Sequence, residues 1–316
     1  ADVTVEVKPP KAIAADSLQS PSDPDATYGH KGKGYEYQIA ETCAKDNPFQ
    51  VITQTRLNGA NESDQTQTIP MLEKLVQAQL QPQKLQVDAG DVSGDNIVQA
   101  EDLGTRLVGP LPGKPPNPEN ISLAEFQFAE NGTLLMPCPH QQCPVQQGDT
   151  DNRDGYWAVF DQEACTACPL VANCPVKGKR ERRIVWSREK LATAQRQQEV
   201  QTRAFKEEHK IRSGIEATNS AIKHKHGAAR LNVSGYKRID LAMTFKSLAL
   251  NIKRMLLYVL DQLQQPNSDG TSKPVAAAVC VLASLLLVFA AFARLHRRLT
   301  YFALKGMDLG CTLSRA

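Results

Sequence analysis

No secretory signal pattern opens this sequence, and the chain begins at Ala1 rather than Met. The start therefore reads as that of a fragment or a processed product. A disulfide framework is missing too. Five of the eight cysteines (Cys138, Cys143, Cys165, Cys168 and Cys174) crowd into 37 residues. Such clustering excludes a small secreted scaffold held by spaced disulfides and favours a reducing, intracellular setting. Net charge of one sign is nearly absent, at +3 over 316 residues. The balance is uneven, however. Between Pro175 and Leu260 there are 20 Lys and Arg against 7 Asp and Glu, so the remainder carries −10. A basic C-terminal half on an acidic N-terminal half suits a polyanion such as nucleic acid, or simply a solvated helical surface.

What is present begins with loop chemistry. Residues 1–34 are rich in Pro, Asp, Ser and Gly, apart from a short possible strand, ADVTVEV. From Tyr35, YEYQIAETCA and PFQVITQTRL read as antiparallel strands. A helix is expected from Thr68 to Leu80, with Ile69, Leu72, Leu75, Val76 and Leu80 on one side. LQVDAG reads as a strand ending at Asp88. A helix capped by Ser93 follows, and TRLVG is a further strand. Helices alternating with short strands predict an α/β layer, where a carboxylate at a strand end sits at the usual ligand position.

Residues 111–185 break that pattern. They read as an inserted module that carries the clustered cysteines. Thiolates at Cys138, Cys143, Cys165, Cys168 and Cys174 offer a structural Zn²⁺ site, with His140 as a spare ligand; the other reading is buried free thiols. The run Lys177, Lys179, Arg180, Arg182, Arg183 suits contact with a DNA backbone. Residues 188–210 read as one long polar helix. HKIRSGIEATNSAIK, residues 209–223, reads as a second. Arg212 and Glu216 share a face four residues apart, and Lys223 returns to it two turns on. YKRIDLAMTFKSLALNIKRMLLYVLDQL is amphipathic, with Ile239, Met243, Leu250 and Leu257 toward the core. From Val275 to Ala293 there are 19 uncharged residues followed by cations. That length suits a transmembrane helix, a buried or partner-seeking helix, or sequence from a disrupted frame.

Carboxylates at a strand end and on a helix, Asp88 and Glu216, suit oxygen-seeking Mg²⁺ or Mn²⁺, with Arg212 and Lys223 gripping phosphate. The residues that carry this resemble the DDE transposases of bacterial insertion sequences, in the branch marked Tyr-x2-Arg-x3-Glu-x6-Lys. Here Arg212, Glu216 and Lys223 keep the spacing and His209 stands for the tyrosine. VDAGDVSGDN resembles the motif of the family's second aspartate, with Asp88 matching and Asp91 where Tyr is usual. SDPDA before GYEYQIAE, CTACPLVANC before a basic run, and GAARLNVSGYKRIDLAMTFKSLALNIKR also resemble it, over about Ser22 to Leu263.

The resemblance implies an RNase H-like α/β catalytic core with an inserted Cys-rich module and C-terminal helices. It implies Mg²⁺- or Mn²⁺-dependent DNA cleavage and strand transfer, with Asp88 and Glu216 as catalytic metal ligands. Terminal inverted repeats and target DNA would be the partners of a homo-oligomer in the bacterial cytoplasm, at the nucleoid. The domains expected are a remnant over 1–34, the core over 35–110, the module over 111–185, helices completing the core over 186–264, and a tail over 265–316. No strand matches the family's first, which carries its first aspartate. Asp2 lacks the expected setting, and Asp23 and Asp25 lie in a loop. That leaves a second expectation, a non-catalytic DNA-binding protein derived from a transposase.

Overall fold

The computed structural model describes residues 9, 12–14, 17–29, 32–150 and 155–264. The chain divides into two compact units, Ala1–Leu250 and Asn251–Ala316. The sheets, the cores and the candidate site lie in the first.

Strands β2 (Gly32–Glu41) and β3 (Ile52–Gly59) pair antiparallel, Tyr35 opposite Gly59. Order starts earlier than the loop chemistry suggests, because β1 (Thr27–Gly29) folds back on the start of β2. A Cβ on Gly29 would stand 1.6 Å from the Ala60 carbonyl oxygen, so only glycine lets the two backbones approach there. Helix α1 (Asp64–Gln77) begins four residues before the expected start at Thr68 and buries Ile69, Leu72 and Leu75. Leu80, expected in the core, is exposed. The helix has ended before it, and Gln79 takes a left-handed φ of 58° that turns the chain away.

A β-α-β unit follows: β4 (Lys84–Gln86), α2 (Gly94–Asp102) and β5 (Arg106–Val108), with the strands parallel. Ser93 caps α2 by accepting the Asn96 N–H at 3.0 Å. Helix α4 (Arg188–Glu199) crosses α2 at Gly94, where a Cβ would meet the Glu189 carbonyl oxygen at 2.2 Å. Leu72, Val92, Ile97, Ala100, Leu107 and Ala192 make the core of this layer. Each fully buried aliphatic side chain in it stabilises the fold by roughly 1.5–3 kcal/mol. The alternation of helix and strand from Tyr35 to Gly109 is therefore as expected and the chain is mixed α/β. Among the described residues, however, β1–β3 and β4–β5 are separate sheets.

Within 111–185 and just past it stands a third sheet with its own core. Strands β6 (Gln146–Asp149), β7 (Tyr156–Phe160) and β8 (Arg182–Trp186) are antiparallel. Trp186 is its hub, 1% exposed. Its indole N–H donates to the Gly132 carbonyl at 2.9 Å, and Phe128 packs edge-on at 5.4 Å. Helix α3 (Gln162–Thr166) begins at a side-chain cap from Asp161.

Neither long C-terminal helix expected before Gly227 is continuous. Residues 188–210 break at Val200–Thr202, where the Thr202 hydroxyl caps a new helix, α5 (Arg203–His209), by accepting the Phe205 N–H. Residues 209–223 run through a 3-10 turn (Lys210–Ser213), α6 (Gly214–Ser220) and a π turn (Ala221–Lys225). Helix α7 (Tyr236–Gln264) buries Ile239, Met243 and Leu250 against β3 and Ile222. Leu257 is 56% exposed, contrary to expectation. It lies in the second unit, whereas the core that Ile239 joins belongs to the first. Among the described residues no helix is long and apolar enough to cross a membrane. Val275 to Ala293 lies outside the described residues.

Candidate active site

Asp88 lies two residues past the end of β4, at the entrance to a single 3-10 turn, Ala89–Asp91. Val87 stays in the sheet, its N–H donating to the Val108 carbonyl at 2.9 Å. The backbone N–H of Asp88 donates to Asp91 Oδ2 at 3.1 Å. The turn thus begins with Asp88 facing outward, 58% exposed, and Asp91 tucked beneath.

Arg212, on the 3-10 turn after α5, reaches across to Asp88. Its Nη2 stands 2.6 Å from Asp88 Oδ2, and its Nη1 stands 3.2 Å from Glu216 Oε1. One guanidinium therefore holds two carboxylates that lie 124 and 4 residues from it in sequence. The expected face shared by Arg212 and Glu216 is present, because the 3-10 turn and α6 are contiguous. Lys223 is exposed on the π turn, and nothing described ties it to Arg212 or Glu216. A π turn holds more residues per turn than an α turn, so the seven-residue spacing from Glu216 does not by itself fix where Lys223 points. Helix α6 is anchored from behind, where the Thr218 hydroxyl, 1% exposed, donates to Glu41 Oε2 at 2.7 Å.

Three carboxylates gather on this side of the layer. Asp91 is half-buried, and burial, with the charges of Asp64 and Asp88 adding to it, pushes its carboxyl up to about 6. Gln38 donates to Asp64 at 3.4 Å. Sequence pattern gave no signal for Asp64 or for this use of Asp91.

The donor set suits a hard divalent cation. Asp88 and Glu216 offer oxygen, both are well exposed, and a cationic group already stands between them. Mg²⁺ is commonly bound by one or two protein carboxylates with water and phosphate oxygens completing the shell. Among the described residues, no group of three or more His, Cys, Asp and Glu is placed to hold a metal. That finding also leaves the zinc expectation unsupported. Cys138, Cys165, Cys168 and Cys174 line one cavity with Phe160 and Arg182, but not as a metal-holding group. Cys143 is exposed and off that cavity. All five are free thiols, and burial, with the neighbouring cysteines adding to it, pushes the Cys165 and Cys174 thiols up.

The basic run lies on the third sheet. Lys179 and Arg180 are exposed in the turn before β8. Strand alternation then parts the next two. Arg182 lines the cysteine cavity, whereas Arg183 is exposed and stacks over Trp157 at 4.7 Å.

No curated protein and no solved structure matches the chain. Residues 137–256 match the family model of the transposase DDE domain, a stretch that holds Arg212, Glu216 and Lys223 and leaves Asp88 outside; that match supports a DDE transposase.

Proposed function

We propose that this chain cuts and joins DNA strands in the transposition of an insertion sequence, through an RNase H-like core interrupted by the Cys-rich module. The observation that carries the reading is the Arg212 guanidinium joined to both Asp88 and Glu216. Two carboxylates that answer to one cation can share a divalent ion. Mg²⁺ or Mn²⁺ held there would supply Lewis-acid stabilisation of in-line displacement at phosphorus.

The protein's own groups do the rest. With its carboxylates otherwise engaged, Arg212 can turn its paired N–H groups to a phosphate, for which the guanidinium fork is shaped. Lys223, Lys179, Arg180 and Arg183 add point charges and stacked cation surface along a DNA backbone. Arg182, directed at the cysteine cavity, contributes less to that surface. Terminal inverted repeats and target DNA are the substrates, handled by a homo-oligomer on paired ends in the bacterial cytoplasm.

Strand cleavage tests this. A duplex ending in an inverted repeat should be nicked with Mg²⁺ or Mn²⁺, and Asp88→Ala or Glu216→Gln should lower the rate by about a hundredfold or more, as loss of a metal ligand does. Cutting that survives Asp88→Ala contradicts the assignment. The absence of a third carboxylate in a metal-holding group among the described residues favours one other reading, a non-catalytic DNA-binding protein. Salt-sensitive DNA binding without any nicking would establish it.

A further inference from the structure

The peptide plane that carries Asp88 is gripped at both ends. Its N–H, that of Asp88, donates to Asp91 Oδ2 at 3.1 Å. Its carbonyl, that of Val87, lies 3.1 Å from His209 Nε2. A carbonyl only accepts, so Nε2 carries the proton and donates. The ring is not free to wander. Phe205, one turn earlier on α5 and 4% exposed, stacks on it at 6.0 Å with 9° between the planes. Beyond Phe205 stands the guanidinium of Arg196, 5.5 Å from the ring centroid and itself 5% exposed. Arg196 in turn donates to the Leu107 carbonyl at 2.6 Å and the Gly109 carbonyl at 2.8 Å, at the end of β5. A column therefore runs from the end of β5 through Arg196, Phe205 and His209 to the peptide before Asp88.

We propose that His209 is a positioning residue for Asp88. Held by Phe205 and Arg196, it fixes the Val87 carbonyl and, with Asp91, the plane from which the Asp88 carboxylate projects toward Arg212. The inference rests on the proposed strand-cleavage site. The role needs one donor and a flat ring. It does not need a charge, because Nε2–H is present in the imidazolium and in one neutral tautomer. This separates it from a phosphate-gripping or proton-transferring role for His209, either of which would follow the charge.

The test uses the full chain as wild type, His209→Phe and His209→Gln, followed by hydrogen exchange and by nicking. Phe keeps the stack and removes the donor, whereas Gln keeps a donor. His209→Phe should speed amide exchange across residues 87–92 by about tenfold, the scale of one lost hydrogen bond, and leave helix α1 unchanged. His209→Gln should stay within about threefold of wild type, in keeping with a retained hydrogen bond. Nicking at saturating DNA should fall in parallel for Phe, with DNA affinity unchanged. Wild-type exchange across 87–92 in His209→Phe overturns the proposal. So does a Gln variant as fast as Phe. If the wild type exchanges as expected yet does not nick, the cleavage reading fails and the positioning role stands.

Discussion

Asp91 shows how a residue at the edge of the site governs stability. Its carboxyl is pushed up to about 6 by burial and by Asp64 and Asp88. In the unfolded chain an aspartate loses its proton near pH 3.9. Between those values the folded protein holds a proton that the unfolded chain has released. Stability therefore falls as pH rises from about 4 to 6 and stays lower above. Asp91→Asn keeps an oxygen for the Asp88 N–H and removes the charge. It should raise the melting temperature at pH 7.5 and leave it unchanged near pH 4, as a pH series of thermal melts would show. Arg196 works the other way. Buried and bonded to Leu107, Gly109 and Glu199, it leaves two carbonyls without their guanidinium donor when removed, while Glu199 keeps Arg106. Arg196→Ala should cost about 2–4 kcal/mol in urea unfolding, and Arg196→Lys should recover only part, because an ammonium cannot present the same fork. Spacing made the shared face of Arg212 and Glu216 legible in the sequence, but not the ion pair of Arg212 with Asp88. The partners of His209 were not legible, since its bond to Val87 spans 122 residues and depends on a ring stack.

At the scale of elements, the strands and helices from Tyr35 to Gly109 follow from alternation, caps and turns. The helices between Arg188 and Lys225 do not. A polar run without a strong apolar stripe carries no phase to mark where it breaks, so the stop at Val200–Thr202 rests on one hydroxyl. Thr202→Ala should cost about 1 kcal/mol, the usual loss of an N-cap, measured by urea unfolding with Thr202→Ser as the rescue. Ser213 and Gly214 are poor helix formers, which weakens the same segment again at the 3-10 turn bearing Arg212. The π turn that bears Lys223 left no trace in residue spacing. A periodicity argument holds only while the helix type is constant.

Among the described residues, four hydrophobic clusters stand where composition suggested a split chain. The α/β layer was legible because its strands are short and its helices amphipathic. The packing of the cysteine-bearing sheet was not, because spacing alone could not say that four of the five thiols share one cavity while Cys143 stays outside it. Exposure now separates those thiols. Under native conditions at pH 7, Cys143 should be alkylated at least about tenfold faster than Cys165 or Cys174, whose thiols burial pushes up. Mass spectrometry over a time course with a maleimide reads the order, and equal rates would contradict the placement.

The central claim is that Asp88 and Glu216 serve one cation. Mn²⁺ binding to the full chain, followed by the electron paramagnetic resonance of free Mn²⁺, tests it in four proteins: wild type, Asp88→Asn, Glu216→Gln and the double variant. If the carboxylates share the ion, each single change weakens binding by about tenfold or more and the double change adds little further, as coupled sites do. Wild-type affinity in either single variant, or losses that simply multiply in the double, would contradict a shared site.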